Sequence, residues 1–289
     1  MDAKLVWATW RRILRNDRLI EWASQRYECD TNNETGLTGE ELAILLEYAS
    51  TPAATDTNIG MYRQGLVRNA LAALSLVPLT RSLLFRSALD VDAVTATFVL
   101  STGYRDDGPN FWRTAGDFVA HLAKLSEFAD PFQQDILDID AAMVALARRI
   151  SECPPPVWPD SAAKLFLESS AAGPRSVSDS TRFVASLSAV VVSSRYDLTA
   201  CLENPDNFEA DEKIQASEKH WLIYFPTADP TPEYAELSER TARVFDLLST
   251  PKTACDVSIA LGGFPSADII ESLTQLGVVV REDDSRIRD

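Results

Sequence analysis

Apolar positions recur at helical spacing through the first half of the chain. Thr38 precedes Glu41 by three residues, which is a capping-box pattern, and the apolar residues behind it recur at i, i+3, i+4 and i+7. The pattern therefore predicts an amphipathic helix there, and similar patterns predict several others. These are Trp7 to Ala23, Ile59 to Leu84 with a break near Pro78, Asp90 to Leu100, a helix after Gly108-Pro109 and a helix starting near Pro131.

The second half of the chain has a different pattern. Residues 182–193 are rich in small and β-branched side chains, and His220 to Pro226 alternates between two faces, so both favour strands. Glu233 to Leu237 is expected to be a short third strand. Three short helices should then begin at Ser238, Thr253 and Ser266, followed by a strand over residues 278–280. Strands, three helices and a final strand indicate a winged-helix arrangement.

The two halves are separated by a proline-rich segment, Cys153-Pro154-Pro155-Pro156-Val157-Trp158-Pro159. Such proline density ends a helix and forms a stiff connector. We therefore predict two domains, residues 1–152 and 153–289. The predicted fold class is α+β, with an all-helical N-terminal domain followed by a winged-helix domain.

Charge and hydropathy narrow the classes of partner. The chain has 289 residues and a formal net charge of −16, which repels phosphate backbones and anionic lipid. No stretch approaches the roughly 18 consecutive apolar residues of a membrane span. The first residues lack the order of a secretory signal, since basic residues follow the apolar ones. We expect a cytoplasmic protein.

The residues that usually form metal or catalytic sites are scarce and scattered. His121 and His220 are the two histidines of the chain, and its four cysteines are far apart with no C-x-x-C pair. No G-x-S-x-G, Walker or G-x-G-x-x-G pattern occurs. We therefore expect no catalytic residue, no metal ligand and no bound cofactor in this chain.

Winged helices bind either DNA or peptides, and the residues of the third helix distinguish these two functions. A DNA-binding transcriptional regulator would place that helix in the major groove, but it reads SADIIESLTQL, with Asp268 and Glu271 and no Lys or Arg. A peptide-binding winged helix instead uses an exposed strand edge, to which an extended peptide adds as another strand. The candidate peptide-binding residues are Glu233, Tyr234, Ala235, Glu236, Leu237, Ile269, Ile270 and Leu273. The last three residues of this set have an alternative role, which is to pack the core of the winged helix.

The segment from Trp221 to Val280 carries a resemblance to a known family. It contains an aromatic strand, a short strand, Leu-Ser at a helix start and a C-terminal Leu-Gly followed by apolar residues. In this it resembles the recognition element of ribosomally synthesised peptide maturation (the RiPP recognition element), similar to the pyrroloquinoline quinone biosynthesis chaperone. The resemblance implies binding of a leader peptide.

A second resemblance covers about Ile59 to Val280. The motifs MYRQGLVRNALAALSLVPLTRSLL, GPNFWRTAGDFVAHLAKL, DILDIDAAM and SSRYDLTACL follow in this order. The order is similar to the partner subunits of multinuclear non-heme iron oxidative enzymes, as in methanobactin biosynthesis.

The second resemblance implies a division of labour between two proteins. A partner subunit of this kind captures the leader of a precursor peptide and presents a residue, often cysteine, to a TIM-barrel enzyme that holds the iron. Docking to that enzyme is expected on the helical domain around Tyr62, Arg63 and Phe111, although these three residues could equally belong to the core.

Overall fold

The computed structural model describes residues 2–25, 36–51, 54, 56–105, 111–151, 180–206, 216–226 and 231–282. Within these residues the protein is α+β, with twelve helices and two three-stranded antiparallel sheets. The proline-rich segment and Gly108-Pro109 lie outside the described residues. None of the helices in the described ranges is both long and apolar enough to cross a membrane.

Eight of the helices precede the first strand. They are α1 (Ala3–Leu14), α2 (Asp17–Gln25), α3 (Gly39–Ala49), α4 (Asp56–Ala73), α5 (Pro78–Arg86), α6 (Val91–Ser101), α7 (Phe111–Leu122) and α8 (Pro131–Ser151). Short 3-10 turns follow α4 and α7, at Leu74–Leu76 and Ser126–Phe128.

The strands and the remaining four helices alternate after residue 180. They are β1 (Arg182–Ala185), β2 (Ala189–Tyr196), α9 (Thr199–Glu203), β3 (Ala216–Tyr224), β4 (Glu233–Leu237), α10 (Glu239–Leu247), β5 (Lys252–Thr253), α11 (Ala254–Ala260), α12 (Ala267–Gln275) and β6 (Val279–Arg281). One sheet has the strand order β5-β1-β6 and the other β2-β3-β4.

The chain divides by its internal contacts into two compact units. Unit 1 comprises Met1–Leu76 and Leu84–Phe118, and unit 2 comprises Val77–Leu83 and Val119–Asp289. This division differs from the predicted boundary at 152/153, because α8 contacts β2 and β3 and so belongs to unit 2. That residues 153–289 fold as a separate domain stays a prediction.

Unit 1 is built on a core from α1 to α4. Ile13, Leu14 and Leu45 are fully buried in it, and Trp10 packs its ring edge against Tyr48 with the centroids 4.8 Å apart. Each such side chain contributes roughly 1.5–3 kcal/mol by leaving water. The apolar faces that the sequence pattern predicts are therefore what holds these helices together.

Unit 2 places the sheet β2-β3-β4 between two layers of helix. Leu222 and Tyr224 of β3 pack in a core cluster with residues of α10, α11 and α12. Trp221 and Ile223 alternate with them, are equally buried, and lie on the face that α8 covers. Both faces of β3 are thus apolar, because α10 to α12 cover one face and α8 covers the other.

Two arginine contacts attach α8 to β2. Arg149, near the end of α8, donates from Nε to the carbonyl of Leu187 at 3.0 Å and from Nη2 to that of Ala189 at 3.1 Å. Near its start, Asp135 accepts from the backbone N–H of Arg195 at 2.5 Å and from its Nε at 2.9 Å. Asp135 is 4% exposed, so its carboxylate has lost most of its contact with water. The hydrogen bonds from Arg195 compensate for that loss.

Two of the predicted elements are each divided in the structure. The single helix expected over Trp7 to Ala23 is two helices, because the Asn16 side chain accepts from the N–H of Arg18 at 3.0 Å and starts a new helix. The strand expected over residues 182–193 is β1 and β2, since Ser186 forms a turn in which its hydroxyl accepts from the N–H of Ser188.

Candidate functional site

The strand β4 lies at the end of its sheet. It pairs with β3 in antiparallel register, from Tyr224 opposite Glu233 to His220 opposite Leu237. In the order β2-β3-β4, its other edge carries no strand among the described residues. Successive residues of a strand direct their N–H and C=O groups to opposite edges, so part of the β4 backbone has no strand partner. This edge can pair with an added strand.

Side-chain contacts at both ends of β4 keep it in register. Tyr224 donates its hydroxyl to Glu233 at 2.6 Å, and Lys219 forms an ion pair with Glu236 at 2.6 Å. Burial and the bond to Glu233 raise the pKa of Tyr224 to about 12, so its hydroxyl stays a donor. At the far end, Ser238 accepts from the N–H of Thr241 at 3.1 Å and starts α10 directly after the strand.

The two faces of β4 have different surroundings. Ala235 and Leu237 pack against the core cluster formed with α10 to α12. Tyr234 lies on the opposite face, where burial and the charge of Asp140 in α8 raise the pKa of its hydroxyl. An added strand would continue this alternation, with one set of its side chains beside α10 to α12.

The structure separates the three predicted groove residues of α12. Ile270 and Leu273 are 0% and 1% exposed and belong to the core cluster, which is the alternative that the sequence left open for them. Ile269 is only partly buried and packs against the same cluster. Ala235 on β4 and Ile269 on α12 therefore remain partly accessible, while Ile270 and Leu273 do not.

The surface around the three C-terminal helices carries both signs of charge. On α12, Asp268 is exposed and Glu271 is half-buried. On α10, Arg240 and Arg243 are exposed, and the guanidinium of Arg240 lies 4.4 Å from the ring centroid of Phe264. The sequence reasoning missed the Arg240–Phe264 contact, because nothing in the spacing of these residues indicates it.

The three predicted docking residues of the helical part have different environments. Arg63 donates to the carbonyl of Leu14 at the end of α1, forms an ion pair with Asp17 at 3.0 Å and lies over the ring of Tyr104. Tyr62 is partly buried and packs against Trp10. These contacts give both residues a structural role within unit 1, whereas Phe111 is 38% exposed.

The titratable groups of the described residues form ion pairs and hydrogen bonds with one another, but they form no cluster of metal ligands. No group of three His, Cys, Asp or Glu residues in the described ranges could hold a metal ion. Burial raises the pKa of the Cys201 thiol to about 11, which leaves it a poor nucleophile at neutral pH. His220 Nδ1 forms a hydrogen bond of 2.8 Å with the Ser193 hydroxyl.

One buried carboxyl was missed by the sequence reasoning. Asp140 of α8 is fully buried, and its Oδ2 accepts from the N–H of Thr80 in the first turn of α5 at 2.6 Å. Burial raises the pKa of Asp140 to about 7, and the bonds from the backbone of Thr80 and Leu79 offset part of this shift. The available sequence signal was an Asp on the apolar face of α8, between Ile136 and Val144.

The strongest binding feature of the described residues is thus an open strand edge beside a set of three short helices. No protein-family model matches this chain, and no curated protein matches it.

Proposed function

We propose that this chain is a non-catalytic partner protein that binds the leader of a ribosomally synthesised precursor peptide and presents the peptide to a multinuclear iron enzyme. The observation that carries the proposal is the open edge of β4, which begins and ends at the residues that the sequence pattern predicts. Backbone pairing at such an edge supplies affinity for an extended peptide.

The arrangement around β4 supports assignment to the peptide-binding winged helices. Three antiparallel strands, β2 to β4, are followed by three short helices and then by β6. The helix α10 contacts both β4 and α12. In this proposal the bound peptide strand pairs with β4 and packs on its other side against α12.

Ala235 and Ile269 indicate what the bound peptide contains. Ala235 is the smallest side chain of β4, so its position leaves space on the helix side of the edge. Both Ala235 and Ile269 pack against the same core cluster and remain partly exposed. A large apolar side chain of the peptide, placed opposite Ala235, would bury surface against both of them.

The proposed division of labour assigns the iron chemistry to the partner enzyme. In this proposal the chain works in the cytoplasm, and the helical unit contacts a TIM-barrel iron enzyme, with exposed Phe111 as one contact. Holding the leader makes the encounter between the peptide and the iron site intramolecular. The effective concentration of the modified residue, which we propose is a cysteine, then rises to the millimolar range for a short linker.

Regulation of transcription through DNA binding is the alternative, and the surface of α12 disfavours it. The helix that would enter the major groove carries Asp268 and Glu271 and no basic residue. Carboxylates at those positions would face phosphates and weaken binding.

A reconstitution tests the proposed role. The chain is co-expressed with the iron-enzyme candidate and the short peptide encoded by adjacent genes, and the mass of the peptide is measured. We expect a mass change only when all three proteins are present with iron and oxygen. Modification of the peptide by this chain alone, or by the enzyme equally well without this chain, would overturn the proposal.

Hydrogen exchange tests the proposed site separately. In the free protein, alternate amides of β4 should exchange rapidly, because they point away from β3. Addition of the precursor peptide should slow the exchange of these amides. The exchange rates of the amides of α3, in unit 1, should stay the same. Salt-sensitive retention of duplex DNA from its own promoter region, without any peptide protecting β4, would favour the alternative.

A further inference from the structure

The Arg240–Phe264 pair joins the end of the open edge strand to the start of α12. Arg240 follows Leu237, the last residue of β4, by three positions, and Phe264 precedes Ser266, the N-cap of α12, by two. The Arg240 Cζ atom lies 4.4 Å from the centroid of the Phe264 ring. The contact therefore marks one end of the surface between β4 and α12.

The loop that carries Phe264 is held in place by its own structure. Gly262 and Gly263 have φ angles of 74° and 91°, a left-handed conformation that side chains other than glycine rarely adopt. After the ring, Ser266 donates its hydroxyl to the carbonyl of Ala254 at 2.9 Å, and its N–H donates to the Ser258 hydroxyl at 3.1 Å. Phe264 is nonetheless 51% exposed, so the loop presents an aromatic ring to water.

The charge of Arg240 is not neutralised by the described part of the chain. Arg240 forms no ion pair there, although Glu239 is its neighbour in sequence and Asp268 follows the Phe264 loop. Arg243, one turn further along α10, also forms no ion pair with a described residue.

A guanidinium stacked on an aromatic ring is suited to one kind of ligand. The ring covers one face of the guanidinium and restricts its motion, while the N–H groups at its edge stay available. These donors match the geometry of a carboxylate and can bind it with two parallel hydrogen bonds. An apolar ligand group would leave them unpaired.

We propose that Arg240, supported by Phe264, binds an Asp or Glu side chain of the peptide that pairs with β4. The inference rests on the proposed function and deepens it by naming the class of peptide. Both pairings in this sheet are antiparallel, and an added antiparallel strand would have its N-terminal end beside the C-terminal end of β4. The acidic residue therefore lies on the N-terminal side of the segment that pairs with β4.

A peptide selection tests this requirement and does not depend on the identity of the natural peptide. A phage-displayed library of random 12-residue peptides is selected in parallel on the immobilised full chain, on Arg240→Gln and on Arg68→Gln. Arg68 is an exposed arginine of α4 and serves as the matched control. We expect Asp or Glu to be enriched N-terminal to an apolar segment on the unchanged chain and on Arg68→Gln. Arg240→Gln should lose this enrichment.

A double-mutant cycle then tests direct contact. The best selected peptide and its acid-to-amide variant are titrated against the unchanged chain and Arg240→Gln by calorimetry. Each single change should weaken binding up to about fivefold, as expected for a partly exposed charge pair, and the double change should add little further loss. Arg240→Lys should retain part of the affinity, because it keeps the charge but not the planar fork. Thermal melts establish that each variant is folded.

The failures of the two proposals are distinguishable. If no selected peptide protects the β4 amides from exchange, both the proposed function and this inference are overturned. If selected peptides protect β4 but carry no enriched acid, or if the two changes in the cycle are additive, this inference alone is overturned. The open edge would then remain the binding site, with its selectivity determined elsewhere.

Discussion

A single buried carboxyl makes the stability of unit 2 depend on pH. Asp140 loses the solvation of its charge on folding, and the few hydrogen bonds that it accepts only partly compensate for that loss. Its pKa of about 7 in the folded protein compares with about 4 for an unfolded Asp. Between about pH 4 and pH 7, Asp140 therefore keeps its proton in the folded state, whereas it has lost that proton in the unfolded state.

The sign of the pH dependence follows from this difference. The stabilisation is fully present below about pH 4 and is lost as the pH rises to about 7, by about 1.4 kcal/mol per pH unit. Asp140→Asn should remove this contribution, so the variant should lose less stability than the unchanged chain between pH 5 and pH 7. Urea unfolding at several pH values measures the difference. Exposed Asp246→Asn is the control, and parallel curves for the unchanged chain and Asp140→Asn would contradict the prediction.

The ion pair between Asp135 and Arg195 should respond unequally to loss of either partner. Asp135 is 4% exposed whereas the Arg195 side chain is 57% exposed, so an unpaired Arg195 would be solvated and an unpaired Asp135 would not. Arg195→Gln should therefore destabilise the protein more than Asp135→Asn, because it leaves a buried carboxylate with fewer donors. Chemical denaturation of both variants measures this difference. Equal losses would mean that packing, and not the charge, determines the contribution.

At the scale of elements, the proposed function depends on the free edge of β4. Proline at either of two adjacent positions, Ala235 and Glu236, removes one N–H group, and the two groups point to opposite edges. One variant should therefore stay as stable as the unchanged chain and bind a selected peptide about thirtyfold more weakly. The other should lose a bond to β3 and melt at a lower temperature.

The matched controls for this pair keep the N–H groups. Ala235→Ser and Glu236→Gln change the same side chains, and the amide oxygen introduced by Glu236→Gln can still accept from Lys219. Both variants should therefore retain most of the peptide affinity. Calorimetry with the selected peptide and a thermal melt of each variant separate the loss of pairing from the loss of folding. If both proline variants stay folded and bind the peptide unchanged, the peptide does not pair with β4.

Local signals in the sequence were sufficient to predict most elements. The capping box at Thr38 and the helix starts at Ser238 and Thr253 are all present, because each depends on neighbouring residues alone. Ser266 occupies the predicted cap position, but its hydroxyl bonds to the carbonyl of Ala254 instead. That bond depends on residues twelve positions apart, which local patterns do not describe.

The candidate site was only partly predictable for the same reason. The limits of β4 follow from its flanking residues, whereas the burial of Ile270 and Leu273 depends on how the helix is turned against the sheet. An amphipathic pattern gives the apolar face of a helix, but it does not tell which apolar residues border the surface. The contact of Arg240 with Phe264 likewise requires the fold.

At the scale of the whole molecule, the extent of the C-terminal unit has an experimental consequence. The sequence places a boundary in the proline-rich segment, but α8 covers one face of β2 and β3 and holds Asp135 and Arg149 against β2. Removal of α8 would expose Trp221 and Ile223 to water, at a cost of roughly 1.5–3 kcal/mol for each. That loss is a large part of the stability of a small domain.

We therefore expect a fragment of residues 153–289 to fold poorly and to aggregate, and a fragment of residues 119–289 to unfold cooperatively. The longer fragment keeps α8 and both arginine contacts, although it lacks the segment Val77–Leu83 that supplies donors to Asp140. Size-exclusion chromatography and thermal melts of both fragments test this expectation. If the 153–289 fragment is monomeric and melts as cooperatively as the longer one, the proline-rich segment is the domain boundary. In that case the sheet β2-β3-β4 is stable without α8.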